Sequence, residues 1–104
     1  MNQVNTMQEY TNLLFQTIEK TKQYIIAFPD LNIYKNLLQQ LEFVKKIIID
    51  ERRRPNFTEV ESTYIGSIAI KNLDDDPIYA EILKKISFVF TENKKIDFLN
   101  SYLK

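Results

Sequence analysis

Tyr64-Ile65-Gly66-Ser67-Ile68-Ala69-Ile70 is the apolar run whose reading decides the fold. A short run of this kind fits a buried strand or a buried piece of helix, and periodicity alone does not separate the two. Its surroundings do. Thr58 and Glu61 stand ahead of it at capping-box spacing, Phe57, Val60, Tyr64 and Ile68 recur at helical intervals, and no other segment offers a partner strand. The run is therefore read as part of a helix over 58–72. Gly66 inside such a helix costs about 1 kcal/mol relative to Ala, so the small residues Gly66, Ser67 and Ala69 predict a face that another backbone approaches closely.

Outward from this run the pattern stays helical. Asp76 as N-cap and Pro77 at the first helical position open a helix over 77–92, with Ile78, Ile82, Ile86 and Val89 along one side. Upstream, Leu31, Tyr34, Leu37, Leu38, Leu41, Val44 and Ile48 mark a helix over 31–53 that stops before Pro55. Met7, Tyr10, Leu14, Ile18, Tyr24 or Ile25, and Phe28 mark another over 7–28, opened by Thr6 and Glu9 at capping-box spacing and stopped by Pro29. The short connection at Phe28-Pro29-Asp30 folds these two back as an antiparallel hairpin. After Asn93, the residues Ile96, Phe98, Leu99, Tyr102 and Leu103 leave two alternatives open: a short helix over 95–103, or a tail that orders only on contact. The expected fold is all-α, a compact four- or five-helix bundle built on the hairpin, with residues 1–104 as one domain. One glycine and three prolines are too few turn formers for an all-β protein of this length.

Composition narrows the chemistry. With no His and no Cys among 104 residues, His- or Cys-based nucleophile arrangements, zinc sites with nitrogen or sulfur ligands, haem ligation through those residues and disulfides are all excluded. No phosphate-cradling glycine loop or nucleophile elbow is present, and the best acid–base pair on offer, Glu61 with one of Asp74–Asp76, has no separation fixed by sequence. The expectation is a non-enzymatic binding module without cofactor. Fourteen basic residues balance fourteen acidic ones, so nothing pulls the chain toward nucleic acid or an anionic membrane. The first residues show no charged-then-apolar leader, and no window approaches 18 apolar residues, which points to the cytoplasm.

Two runs of like charge stand out. Asp74-Asp75-Asp76 precedes Pro77; one carboxylate suffices to cap a helix, so Asp74 and Asp75 are surplus and available to a partner. Three adjacent carboxylates ahead of a proline lack the alternating ligands and turn glycine of a hard-cation loop, so no metal is expected. Arg52-Arg53-Arg54 closes the second helix, where cations are favoured by the helix dipole and Asp50 is spaced to pair with Arg54. Glu42 with Lys46 and Glu81 with Lys85 have the order of ordinary solvated helix pairs. From Phe57 to Glu92 seven acids face three lysines, making that half of the molecule acidic. Phe43 and Phe88 point away from the apolar sides of their helices and need another neighbour: the C-terminal segment, a second copy, or a partner. The six tyrosines are read as core-rim residues with hydroxyls reaching water.

The stretch Gly66-Ser67-Ile68-Ala69-Ile70-Lys71-Asn72-Leu73-Asp74-Asp75-Asp76-Pro77-Ile78-Tyr79-Ala80 resembles the signature of a bacterial immunity-protein family, the small helical proteins that neutralise NAD(P)+ glycohydrolase toxins delivered by type VI secretion. Gly66, Ile68, Ala69, Lys71, Leu73, Asp76 and Pro77 match that signature, and the Phe28-Pro29 turn and the Ile49-Asp50 to Arg52 stretch are similar too. Likeness extends over roughly Tyr10 to Phe90; Asn72 in place of the usual Glu, a shorter acidic stretch and the tail after Asn93 depart from it. The resemblance implies an antitoxin that acts by stoichiometric binding, capping a cognate toxin's active-site cleft. Its expected contact residues are Asp74, Asp75 and Asp76, flanked by Glu61 and Lys71. A self-associating helical adaptor is the competing reading, and a weak homodimer is compatible with either.

Overall fold

The computed structural model describes residues 4–103. Among these residues every regular element is helical. α1 (Met7–Ala27) begins at Thr6, whose hydroxyl accepts from the Glu9 amide at 3.1 Å, and it stops at Phe28 ahead of Pro29. Its inward stripe is Tyr10, Leu14 and Ile18, with Thr17 and Thr21 buried beside them. Those two threonines satisfy their hydroxyls by donating to the carbonyls of Leu13 and Thr17, at 2.6 and 2.7 Å. α2 (Asn32–Lys45) runs back antiparallel: Tyr24 meets Tyr34 next to the turn, and Lys45 lies over the Phe15 ring at the other end.

α2 widens into a π-helical turn over Lys46–Asp50 that buries Ile47 and Ile48. The helix expected to reach residue 53 ends here. Arg52 adopts a left-handed backbone, φ 52°, at the helix end, where the Arg53 amide turns back to the Ile47 carbonyl at 3.1 Å, and its side chain reaches the C-terminal segment, where Nε donates to the Tyr102 carbonyl at 2.7 Å. Without helical geometry between them Asp50 and Arg54 do not pair, and Asp50 takes Lys45 at 3.2 Å instead.

The helix expected over 58–72 is two helices, α3 (Phe57–Glu61) and α4 (Ile65–Asn72). The cap is Asn56, not Thr58: its side chain accepts from the Glu59 amide at 2.8 Å while Glu59 accepts from the Asn56 amide at 2.9 Å. The break at 62–64 has a partner in α2. Gln40 Oε1 accepts from the Tyr64 amide at 2.7 Å, Gln40 Nε2 donates to Asn36, and Asn36 Nδ2 donates to the Tyr64 hydroxyl. The Tyr64 N–H is thus held by α2 rather than by a preceding helical turn. From there α4 turns Ile65, Ile68 and Ala69 inward.

α5 (Pro77–Thr91) packs antiparallel on α4, with Ser87 so close that a Cβ added at Gly66 would stand 3.2 Å from its Oγ. The close approach expected of the small residues is met at Gly66 by a side chain, that of Ser87, and not by a backbone, and Ser67 is exposed. The buried side of α5 is Tyr79, Ala80, Leu83, Ile86, Val89 and Phe90. Ile78, expected inward, is 71% exposed, because seating Tyr79 in the core rotates its neighbour outward by about 100°. A 3₁₀ turn (Asn93–Lys95) and α6 (Asp97–Tyr102) close the bundle, with Leu99 buried and Phe98 at 6.1 Å from Tyr10.

Candidate functional site

The α1–α2 turn and the α4–α5 turn meet at one end of the bundle. Asp76 joins them: Oδ1 accepts from the Tyr79 amide at 3.3 Å, capping α5, and Oδ2 accepts from the Tyr24 hydroxyl. Around this carboxylate Tyr24 lies 5.0 Å from Tyr34 and 5.0 Å edge-on from Tyr79, while Phe28 stacks on Tyr34 at 6.0 Å. The Tyr79 hydroxyl shares a hydrogen bond with Thr21. Aromatic pairs at such spacings add about 0.5–1.5 kcal/mol each beyond their burial, so the cluster is a firm backing for whatever sits in front of it.

Electrostatics fix the protonation of this cluster. Burial raises the Tyr24 hydroxyl well above its usual range, and the hydrogen bond to Asp76 raises it further. Tyr34 is raised by burial and then by the charges of Asp76 and Asp75, and Tyr79 is pushed up to about 12, chiefly by burial. At neutral pH the tyrosines are therefore neutral donors.

Among the expected contact residues, Asp74 and Asp75 are exposed in the α4–α5 turn and Lys71 is exposed on the last turn of α4. Asp76 is partly buried and committed to internal bonds. Glu61 is not brought to them: it ends α3, and α4 intervenes with a rise of ~12 Å. Among the described residues no three carboxylates converge in a metal-holding group. Beside the exposed aspartates stand Phe28 at 47%, Leu31 at 49% and Ile78 at 71% exposure. Sequence reasoning missed the tyrosines, and the concentration of Tyr24, Phe28 and Tyr34 around Pro29 is the signal that could have found them.

The opposite end is built from the arginines. Arg53 grips Glu59 through both terminal nitrogens at 2.8 and 2.6 Å and Glu51 through Nε at 2.6 Å. This grip, with the Asn56 amide, holds the Glu59 carboxyl down at about 2. Arg54 donates to Asn93 and Asn100, both at 2.8 Å, and Arg52 lies 4.4 Å from the Tyr102 ring. All three fasten the C-terminal segment and α3. Of the two outlying phenylalanines, Phe43 is covered by Phe90 of α5 at 6.4 Å, whereas Phe88 is 56% exposed.

A small helical bundle that keeps acidic and apolar side chains exposed together at one end, on a rigid aromatic backing, has the make-up of a protein-binding module. The chain belongs to the Tsi6 family, to which residues 9–92 match, and is thereby a type VI secretion immunity protein. No curated protein and no solved structure matches it.

Proposed function

We propose that this protein neutralises a cognate secreted toxin that degrades NAD(P)+ by seating its aromatic–acidic end in the toxin's active-site cleft, so that nucleotide cannot enter. The observation that carries this reading is the exposure of Asp74 and Asp75 at the same end of the bundle as exposed Phe28, Leu31 and Ile78, where Asp76 is already spent on Tyr24 and α5. A cleft that accommodates a dinucleotide's phosphates offers cationic groups, and two carboxylates on a firm surface complement them. Lys71 flanks the contact; Glu61, at the far end of α4, lies outside it. The action is stoichiometric, without turnover, and takes place in the cytoplasm, where such a toxin finds its substrate. Among the described residues no helix is long and apolar enough to cross a membrane. Protection of a cell calls for a dissociation constant on the order of nanomolar or below and an interface of about 1,600 Å² or more.

The test is binding to the purified cognate toxin domain. Asp74→Ala/Asp75→Ala is expected to weaken affinity at least about tenfold at low salt, with a slower association rate. Unchanged affinity and association rate would remove these residues from the interface. Pulling the toxin down with the tagged protein, then measuring NAD+ loss with and without the protein added back, tests the partner's chemistry. A captured toxin that leaves NAD+ intact would keep immunity and discard the nucleotide.

A further inference from the structure

The outer face of α5 is unused by both ends. Ile78, Glu81, Lys85 and Phe88 follow one another at three- and four-residue steps, the spacing of a single helix seam, with Ile82 beside it. Ile78 and Phe88 are among the most exposed large apolar side chains of the molecule. Glu81 leans on Lys84 at 3.7 Å, and among the described residues Lys85 makes no ion pair. A hollow of about 440 Å³ opens on this face between Pro77, Ile78, Glu81, Ile82 and Lys85.

Apart from Ile82, which packs partly against the core, the order of chemistry along the seam is apolar, acid, base, apolar, with Ile78 and Phe88, and Glu81 and Lys85, equidistant from the level of Leu83. A two-fold axis at that level would set two α5 helices antiparallel. Ile78 of each copy would then lie opposite Phe88 of the other, and Glu81 opposite Lys85, each pair occurring twice as a closed two-fold contact demands. A parallel arrangement in register would instead oppose Glu81 with Glu81 and Lys85 with Lys85. We propose that this face docks a second copy of the chain in the antiparallel arrangement, with the Pro77–Ile78 end of the hollow receiving Phe88. The single-helix seam is ~17 Å from Ile78 to Phe88, and its burial falls below the ~1,200 Å² of stable complexes. The dimer is accordingly weak, with a dissociation constant on the order of 100 µM. This surface shares Ile78 with the border of the exposed aspartates but otherwise runs along α5 away from them, and because its test uses this chain alone the inference does not depend on the toxin reading.

Sedimentation of the whole chain between about 10 µM and 1 mM, the range in which so small an interface associates, reads the proposal directly. The wild type is expected to pass from monomer toward dimer. Lys85→Glu, which opposes two acids at each crossing, should weaken association about tenfold or more, and Glu81→Lys/Lys85→Glu should restore it to within about threefold. Phe88→Ser, at an exposed position that leaves the core alone, should abolish it. A wild type that stays monomeric throughout overturns the proposal. So does a dimer indifferent to Lys85→Glu and Phe88→Ser, or a folded charge-swap variant that fails to recover.

Discussion

Asp74-Asp75-Asp76 and Arg52-Arg53-Arg54 look alike as sequence, each a run of three like charges at a helix boundary beside a proline. In three dimensions they diverge. Every arginine is spent inside the molecule, on Tyr102, on Glu51 and Glu59, and on Asn93 and Asn100. Of the aspartates only Asp76 has such partners, and the other two stand exposed. A run of charge is thus no measure of function; what counts is how many of its members the fold has already satisfied. The arginine end spends its charge on holding α3 and the segment from Asn93 to Tyr102, and the aspartate end keeps two charges to offer.

The sharpest way to break this contrast is Arg54→Ala. It removes two charge-assisted hydrogen bonds and leaves the Oδ1 of buried Asn93 without its donor. A loss of about 2–3 kcal/mol is expected, read as a lower urea midpoint. A change below about 0.5 kcal/mol, the scatter of neutral surface substitutions, would mean that the C-terminal segment is held by Leu99 and Phe98 alone.

The two ends should also fail at opposite extremes of pH. Glu59 has its folded value lowered to about 2, so its contribution is complete above its unfolded value of about 4.3 and disappears as pH falls toward 2. Tyr24, Tyr34 and Tyr79 have raised folded values, so their contribution is complete below about 10 and is lost as pH climbs, for Tyr79 through about 12. Urea midpoints measured across pH separate the two. Tyr24→Phe should cost about 1 kcal/mol at neutral pH by freeing one oxygen of Asp76, and should soften the alkaline loss. Glu59→Gln keeps the capping geometry but not the charge, so it should flatten the acid limb by about 1 kcal/mol, the pair with Arg53 being partly exposed. An alkaline limb untouched by Tyr24→Phe would detach Tyr24 from the aromatic end's stability.

What the sequence shows and hides follows the distance between partners. The caps at Thr6 and Asp76 lie within three residues of the amides they serve, and both are legible. The break at 62–64 has its partner in Gln40, 24 residues away, which no local pattern contains. The end of α2 is closed locally, by the Arg53 amide on the Ile47 carbonyl, but with an arginine and not a glycine at the left-handed position, so the usual signal is missing. Ile78 was placed inward because Ile82, Ile86 and Val89 share its spacing; the actual phase is set by Tyr79, whose seat is made by Thr21 and Tyr24 of α1. The surplus of Asp74 and Asp75 was readable by counting what a cap requires. The tyrosine cluster behind them is readable only in part: Tyr24, Phe28 and Tyr34 gather around Pro29, but Asp76 and Tyr79 join them only once α5 packs there. Glu61 lies at the other end of α4 from the aspartates, a separation that nearness in sequence does not reveal.

The smallest expected effect is the most discriminating. Asp74→Asn/Asp75→Asn removes two charges from the exposed aspartate end. Were these carboxylates structural, as Arg54 is, their loss would cost stability on the scale of Arg54→Ala. Neither has a hydrogen-bond partner among the described residues, and relief of like-charge crowding beside Asp76 opposes the lost attraction to the positive end of α5. These terms nearly cancel, so the double variant should unfold within about 0.5 kcal/mol of the wild type. A loss beyond about 1 kcal/mol would show that the turn needs its whole acidic run to hold its shape. The reduced toxin affinity expected of the alanine pair would then reflect a displaced Asp76 and Tyr24, with no direct contact required.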